Sequence, residues 1–219
     1  GLRGGVPEAM GVDALGADAE HALSSAMAAA SVVVLGPGLG RGAWAQQVIG
    51  ALASYDGPLV IDADGLYWLA DTAQARTLKN RGAPLFLTPH AGEAARLLEC
   101  STGEILSNPR QAVIDMTERF NATCLLKGPG TIIGTRMGQA ICAHGNPGMA
   151  SAGMGDVLAG LVGSLIAQQP SSSDMAFTAG VLLHSAAADQ AAEKIGMRGL
   201  TASIIIAHIA ALLREERSV

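Results

Sequence analysis

The fold this sequence predicts is α/β: a mostly parallel central sheet with helices on both faces, a late antiparallel hairpin and a closing set of helices. Three observations carry it. Short, wholly apolar runs alternate with longer segments of helical period, the pattern of buried parallel strands and their crossover helices. Each of the first four runs ends in a polar loop that contains glycine. After Thr131 the alternation stops and a pair of short apolar runs flanks a glycine-bearing turn.

Residues up to about Gly16 are glycine-rich and show no clear period. A helix is expected over Ala19 to Ala29, with Asp18 as its cap. Ser31-Val32-Val33-Val34-Leu35 is the first strand and runs into Gly36-Pro37-Gly38-Leu39-Gly40; a helix over Ala43 to Ser54 follows. Pro58 to Ile61 is the second strand, with Asp62-Ala63-Asp64-Gly65-Leu66 as its loop and a short helix through Leu69. Pro84 to Leu87 is the third, and Thr88-Pro89-His90-Ala91-Gly92-Glu93 leads into a helix ending at Leu98. Asn108-Pro109, a cap followed by proline at the first helical position, opens a helix that ends near Phe120. Thr123 to Leu126 is the fourth strand, and Lys127-Gly128-Pro129-Gly130-Thr131 follows it. Ile132-Ile133 and Ala140-Ile141-Cys142 form the hairpin, and helices over Gly155 to Gln168, Ser173 to Lys194 and Ala202 to about Arg214 close the chain. No repeat or linker breaks the pattern, so a single domain is expected over 1–219. In open α/β sheets ligands bind beyond the carboxyl ends of the strands, so the four loops are expected to share one site.

Composition narrows the function. With 49% hydrophobic and 15% charged residues, the 219-residue chain can bury a sizeable core. A net charge of −5, 3% aromatics and no basic cluster longer than Arg214 to Arg217 argue against a nucleic-acid groove. The longest apolar run, Val157 to Ala167, is too short to span a bilayer, and Gly1-Leu2-Arg3-Gly4-Gly5 lacks the shape of a secretory signal. Cys100, Cys124 and Cys142 share no metal-type spacing and read as reduced, mostly buried thiols of a cytoplasmic protein.

The strongest single signal is the stretch from Asn146 to Gly160. Small residues end in Gly153-Met154-Gly155-Asp156 and an apolar segment follows at once, as where a glycine loop opens a buried helix. The unpaired N–H groups of such a helix start suit a phosphate or another anion. Asp156 at that rim either binds Mg²⁺, takes a proton from the group that attacks the phosphate, or simply caps the helix. Lys127 to Thr131 has the cation, glycines and hydroxyl of a phosphate loop without P-loop spacing, and is otherwise a plain turn. Gly36 to Gly40 either brings backbone close to a flat ligand or makes a tight strand-to-helix turn. Asp62 and Asp64 either position Mg²⁺ through water or cap a helix. His90 either donates a hydrogen bond to a ligand oxygen or enters a helix paired with Glu93. His184 reads as a packed core histidine; His21, His144 and His208 show no partner legible in sequence.

Collected, these motifs resemble the ADP-dependent NAD(P)H-hydrate dehydratase family from about Ser31 onward. The resemblance rests on Gly36 to Gly40, Asp62 to Leu66, Thr88 to Glu93, Lys127 to Thr131 and Asn146 to Gly160, in the family's order. Arg198 to Ser203 is similar to its closing segment. It implies a ribokinase-like fold and a repair reaction on the S epimer of hydrated NADH or NADPH. Water is removed while ADP, or ATP in some relatives, is consumed, ADP yielding AMP and phosphate. By matching motif it implies that Lys127, Gly128, Pro129, Gly130, Thr131 and Gly155 bind the adenine nucleotide. Gly38, His90 and Asp156 would hold the hydrate, with Asp156 as the catalytic base. It further implies Mg²⁺ with the nucleotide, no membrane or nucleic-acid partner, a cytoplasmic location and assembly into homo-oligomers, commonly tetramers.

Three departures stand out. The family begins with a further strand, glycine loop and helix, so about 30 residues or more are expected to be lacking at the N-terminus; Pro7-Glu8-Ala9-Met10 is similar to the segment that follows that unit. Ile204 stands where relatives usually carry aspartate, and Ala152 replaces a common glycine. Two rivals share the same loops: a ribokinase-like small-molecule kinase and a catalytically silent nucleotide-binding module.

Overall fold

Leu59–Ile61 (β2), Leu85–Leu87 (β3) and Thr123–Leu126 (β4) are buried at every position, which is why these runs carry no polar alternation. They pair in parallel with one another and with Val33–Leu35 (β1). Ile132–Thr135 (β5) and Gly138–Ile141 (β6) complete the sheet as an antiparallel hairpin, giving the order β1-β2-β3-β4-β5-β6. The computed structural model describes residues 9–14, 18–70, 73, 78 and 81–215. The readings made on residues 1–8 and on Arg217 lie outside the described residues.

Alternate strand residues feed two separate cores. Leu59, Ile61, Leu85, Leu87, Cys124, Leu126 and Ile132 face a cluster with Ala19–Ala29 (α1), Ala43–Ala51 (α2), Ala63–Leu69 (α3), Ala91–Leu98 (α4), Thr102–Ser107 (α5) and Pro109–Phe120 (α6). Val60, Phe86, Leu125 and Ile133 point the other way, onto Met154–Gln168 (α7) and Ser173–Ile195 (α8). Ala202–Glu215 (α9) packs outside them through Ile205 and Ile209. Helices therefore cover both faces of the sheet.

Several expectations need adjustment. Asp18 occupies the cap position of α1 but its side chain caps nothing. The second helix ends at Ala51 and tightens into a 3₁₀ turn over Leu52–Ser54. The helix α5 was not expected, although its signal is present: Ser101 and Glu104 form a reciprocal capping box. Cys142 falls just beyond β6.

The carboxyl edge of the sheet is clamped by backbone. A Cβ on Gly36 would lie 1.7 Å from the Asp62 carbonyl oxygen, and its φ of +129° is open only to glycine. The loops after β1 and β2 are thereby pressed together.

Under the second face, His184 of α8 is 4% exposed, and its Nε2 has no hydrogen-bond partner among the described residues. Burial pushes its pKa down to about 4, against a backbone hydrogen bond at Met154 that acts the other way. The unfolded chain therefore binds this proton first. The stability contribution is whole above about pH 6.5 and is lost as pH falls toward about 4, on the order of 3 kcal/mol in total. His184→Gln should flatten that part of the acid limb; urea unfolding at pH 7 and pH 4.5 of both proteins checks it, and equal pH dependence would contradict it.

Candidate functional site

The four parallel strands deliver their loops to one edge. The loop after β1 places Gly38 at its exposed tip, and the Gly40 N–H donates at 3.0 Å to Oδ2 of Asp64, in the first turn of α3. Arg41 reaches the other oxygen of Asp64 at 3.3 Å. The loop after β3 ends at His90, the N-cap of α4. His90 Nδ1 accepts from the Gly92 and Glu93 N–H groups at 3.0 and 3.2 Å, and Glu93 accepts in return from the His90 N–H at 2.8 Å. This holds the ring with its Nε2 3.4 Å from Glu93 Oε1. The helix-entry reading of His90 thus holds, and the ring is also 59% exposed at the site.

Lys127 begins the turn after β4. Its N–H donates to the Pro89 carbonyl at 2.8 Å, locking the turn to the loop after β3. Its Nζ lies 2.7 Å from Oδ1 of Asp62 and 3.8 Å from Oε2 of Glu93. Asp62 is 1% exposed, and stripping the partner from such a buried pair costs about 3–5 kcal/mol. Gly128, Pro129 and Gly130 project into solvent, while the Thr131 hydroxyl closes the turn by donating to the Gly128 carbonyl at 3.2 Å. The lysine is not the free cation of an ordinary turn. Its partner, Asp62, is 65 residues away and no local pattern announces it.

The start of α7 meets this ion pair from the opposite face. A Cβ on Gly155 would sit 3.5 Å from Asp62 Oδ2 and 3.6 Å from Lys127 Nζ. Gly153, with φ +82°, makes the left-handed turn into the helix. Asp156, directly after Gly155, is exposed in the first turn and has no hydrogen-bond or ion-pair partner among the described residues. Asp62, Glu93, Lys127, Gly155 and Asp156 therefore share one rim. Gly38 lies exposed at the tip of the neighbouring loop.

A second feature fixes the glycine stretch from behind. Asp189, on α8, accepts from the Gly145 N–H at 2.8 Å and from the Asn146 side chain at 2.9 Å, with His144 Nδ1 at 3.5 Å. Partial burial works to raise its pKa, but these hydrogen bonds and His144 together hold it below the usual range. Sequence offered no signal for this anchor, because its partners lie more than forty residues back. Among the described residues no three His, Cys, Asp or Glu side chains cluster as metal ligands, and no helix is long and apolar enough to cross a membrane.

The profile of the NAD(P)H-hydrate dehydratase family matches residues 2–210. The chain belongs to this family. It is 43% identical over 192 residues to the bifunctional NAD(P)H-hydrate repair enzyme Nnr of Coxiella burnetii, covering 87% of this chain and 38% of that protein. The chain thus spans well under half the length of such curated relatives. Among solved structures it is similar to the ADP/ATP-dependent NAD(P)H-hydrate dehydratase of Bacillus subtilis, co-crystallized with ATP/Mg²⁺. The TM-score is 0.75 at 22% identity, over 89% of this chain and 69% of that one. A ribokinase-like superfamily protein of Enterococcus faecalis gives a TM-score of 0.74 at 25% identity, over 90% and 68%. The NAD(P)H-hydrate dehydratase fold seen here is accordingly ribokinase-like.

Asp189→Ala should cost about 0.5–1.5 kcal/mol, by removing the acceptor of the Gly145 and Asn146 donors near the surface. The native carboxylate contributes stability above its unfolded pKa and loses it as pH falls through the lowered folded value, so the deficit of the variant should shrink in acid. Unfolding at pH 7 and pH 3 measures both; a deficit that does not change with pH would remove the carboxylate from this role.

Proposed function

We propose that this chain catalyses ADP-dependent dehydration of the S epimer of hydrated NADH and NADPH, restoring the reduced coenzyme. One observation carries the reading: the Asp62–Lys127 pair and the start of α7 meet on one rim, with an unpaired carboxylate, Asp156, beside them. Family membership supports the hydrate as substrate, and the Bacillus subtilis relative co-crystallized with ATP/Mg²⁺ supports an adenine nucleotide as the second.

Lys127, the exposed turn Gly128-Pro129-Gly130, Thr131 and Gly155 bind the nucleotide. Lys127 and the free N–H groups of α7 face the transferred phosphoryl and stabilise its charge. Gly38, His90 and Asp156 hold the hydrate. Hydroxide is a poor leaving group and phosphate a good one, which is why a nucleotide is consumed. Asp156 takes the proton of the hydrate's hydroxyl as its oxygen bonds to the β-phosphorus of ADP, and the bridging P–O bond breaks to release AMP. The ring-nitrogen lone pair then expels phosphate, and loss of a ring proton restores the dihydropyridine. Mg²⁺ bound with the nucleotide would add neutralisation of the phosphate charge and would need only one or two protein carboxylates. Asp62, whose Oδ2 faces the start of α7, would be the carboxylate to hold it. A cytoplasmic location and a homo-oligomer, a tetramer as the family resemblance implies, complete the reading.

The test incubates the protein with hydrated NADH and ADP. Recovery of the reduced-nicotinamide absorbance with one phosphate per turnover supports it; a stable phosphorylated alcohol indicates a kinase, and binding without turnover a silent module. Asp156→Asn should lower kcat at least about a hundredfold while ADP affinity stays within about twofold. A variant with near-normal rate would sink the base assignment. Lys127→Ala should instead weaken ADP binding about tenfold or more, read by calorimetry; unchanged affinity would take the lysine out of the phosphate site.

A further inference from the structure

Beside the rim lies a recess of about 360 Å³ where α3 and α4 meet, bounded by Arg41, Asp64, Tyr67, His90, Glu93 and Arg96. Two guanidinium groups lie over one ring here: Arg41 at 4.0 Å and Arg96 at 4.8 Å from the Tyr67 centroid. The ring itself is braced edge-on by Trp68, whose indole N–H donates to the Gly40 carbonyl at 3.1 Å.

The recess has two guanidinium groups and two carboxylates, but they do not pair evenly. Asp64 is engaged by Arg41 and by the Gly40 N–H. Glu93 is engaged by the His90 backbone and ring and by Lys127. Arg96 has no carboxylate partner among the described residues, and its guanidinium is held only by Tyr67. An exposed cation–π contact is worth about 0.5–1 kcal/mol, too little to account for two like charges brought to one ring. A planar, pre-oriented guanidinium with spare donors matches a phosphate oxygen pair.

We propose that Arg96, stacked on Tyr67 and flanked by Arg41, binds a phosphate group of the hydrated dinucleotide and so anchors it while its nicotinamide end reaches the rim. This rests on the dehydratase reading for the identity of the ligand, not for the anion site itself. The recess opens on the β1–β3 side, between His90 and the loop that carries Gly38 and Arg41. The Lys127 turn follows β4 and meets the recess at Glu93, so a dinucleotide held at Arg96 would adjoin the nucleotide at Lys127. Either the pyrophosphate or the ribose 2′-phosphate carries the right chemistry.

Steady-state kinetics of the wild-type chain, Arg96→Ala and Arg96→Lys with hydrated NADH and with hydrated NADPH test it. Arg96→Ala should raise the hydrate KM about tenfold or more, leaving kcat and the KM for ADP within about twofold, with partial recovery in Arg96→Lys. Equal loss on both hydrates assigns the pyrophosphate; loss on hydrated NADPH alone assigns the 2′-phosphate. An unchanged KM on both overturns the proposal while the dehydratase reading stands. Should the wild-type chain turn over neither hydrate, that reading falls, and titration of the wild-type and Arg96→Ala chains with inorganic pyrophosphate decides the anion site. Affinity that depends on Arg96 keeps it, and affinity that does not overturns it.

Discussion

The ion pair between Asp62 and Lys127 ties the end of β2 to the end of β4 across the intervening strand β3. A carboxylate this deeply buried is tolerated only beside a cation, and the lysine reaches it because its backbone is fixed to Pro89. Each charge thus holds the other in place. The loops after β2, β3 and β4 are drawn into one rigid rim, and rigidity is what a phosphoryl-transfer site needs, since its dipoles must already point at the developing charge.

Close approach of backbone is the second requirement, and the glycines meet it where side chains cannot. Gly36 lets the first two loops touch, and Gly155 lets a helix start come within contact distance of the ion pair. The same economy of volume governs the helical layer beneath. A Cβ on Gly163 would meet Val34 at 2.4 Å, and one on Gly180 would meet Val162 at 2.8 Å, so α7 lies close against the sheet and α8 close against α7. The abundance of glycine and the scarcity of aromatics therefore reflect tight helix-on-sheet packing. From behind, α8 holds the glycine stretch through Asp189, so the rim has support on both sides of the sheet.

Charge around the rim is divided with some regularity. Asp62 and Glu93 attend Lys127, and Asp64 attends Arg41. Two groups stand outside this pairing among the described residues: the Asp156 carboxylate and the Arg96 guanidinium. They are the groups with capacity left for something that is not protein, the one for a proton and the other for an anion.

The sequence by itself determined the alternation of strands and helices, the change to a hairpin after Thr131 and the clustering of four loops at one edge. These follow from local rules: apolar runs too short for helices, proline after a cap at Asn108-Pro109, glycine after each strand. Edges of elements were less legible, because a frayed helix end such as Leu52–Ser54 depends on packing rather than on residue type. Tertiary structure alone decided which charges meet. Asp62 with Lys127, Asp189 with Gly145 and Asn146, and Arg96 with Tyr67 are each separated by tens of residues. Side-chain attraction at such separations exists only after the sheet order has brought the loops together, so no spacing along the chain encodes it.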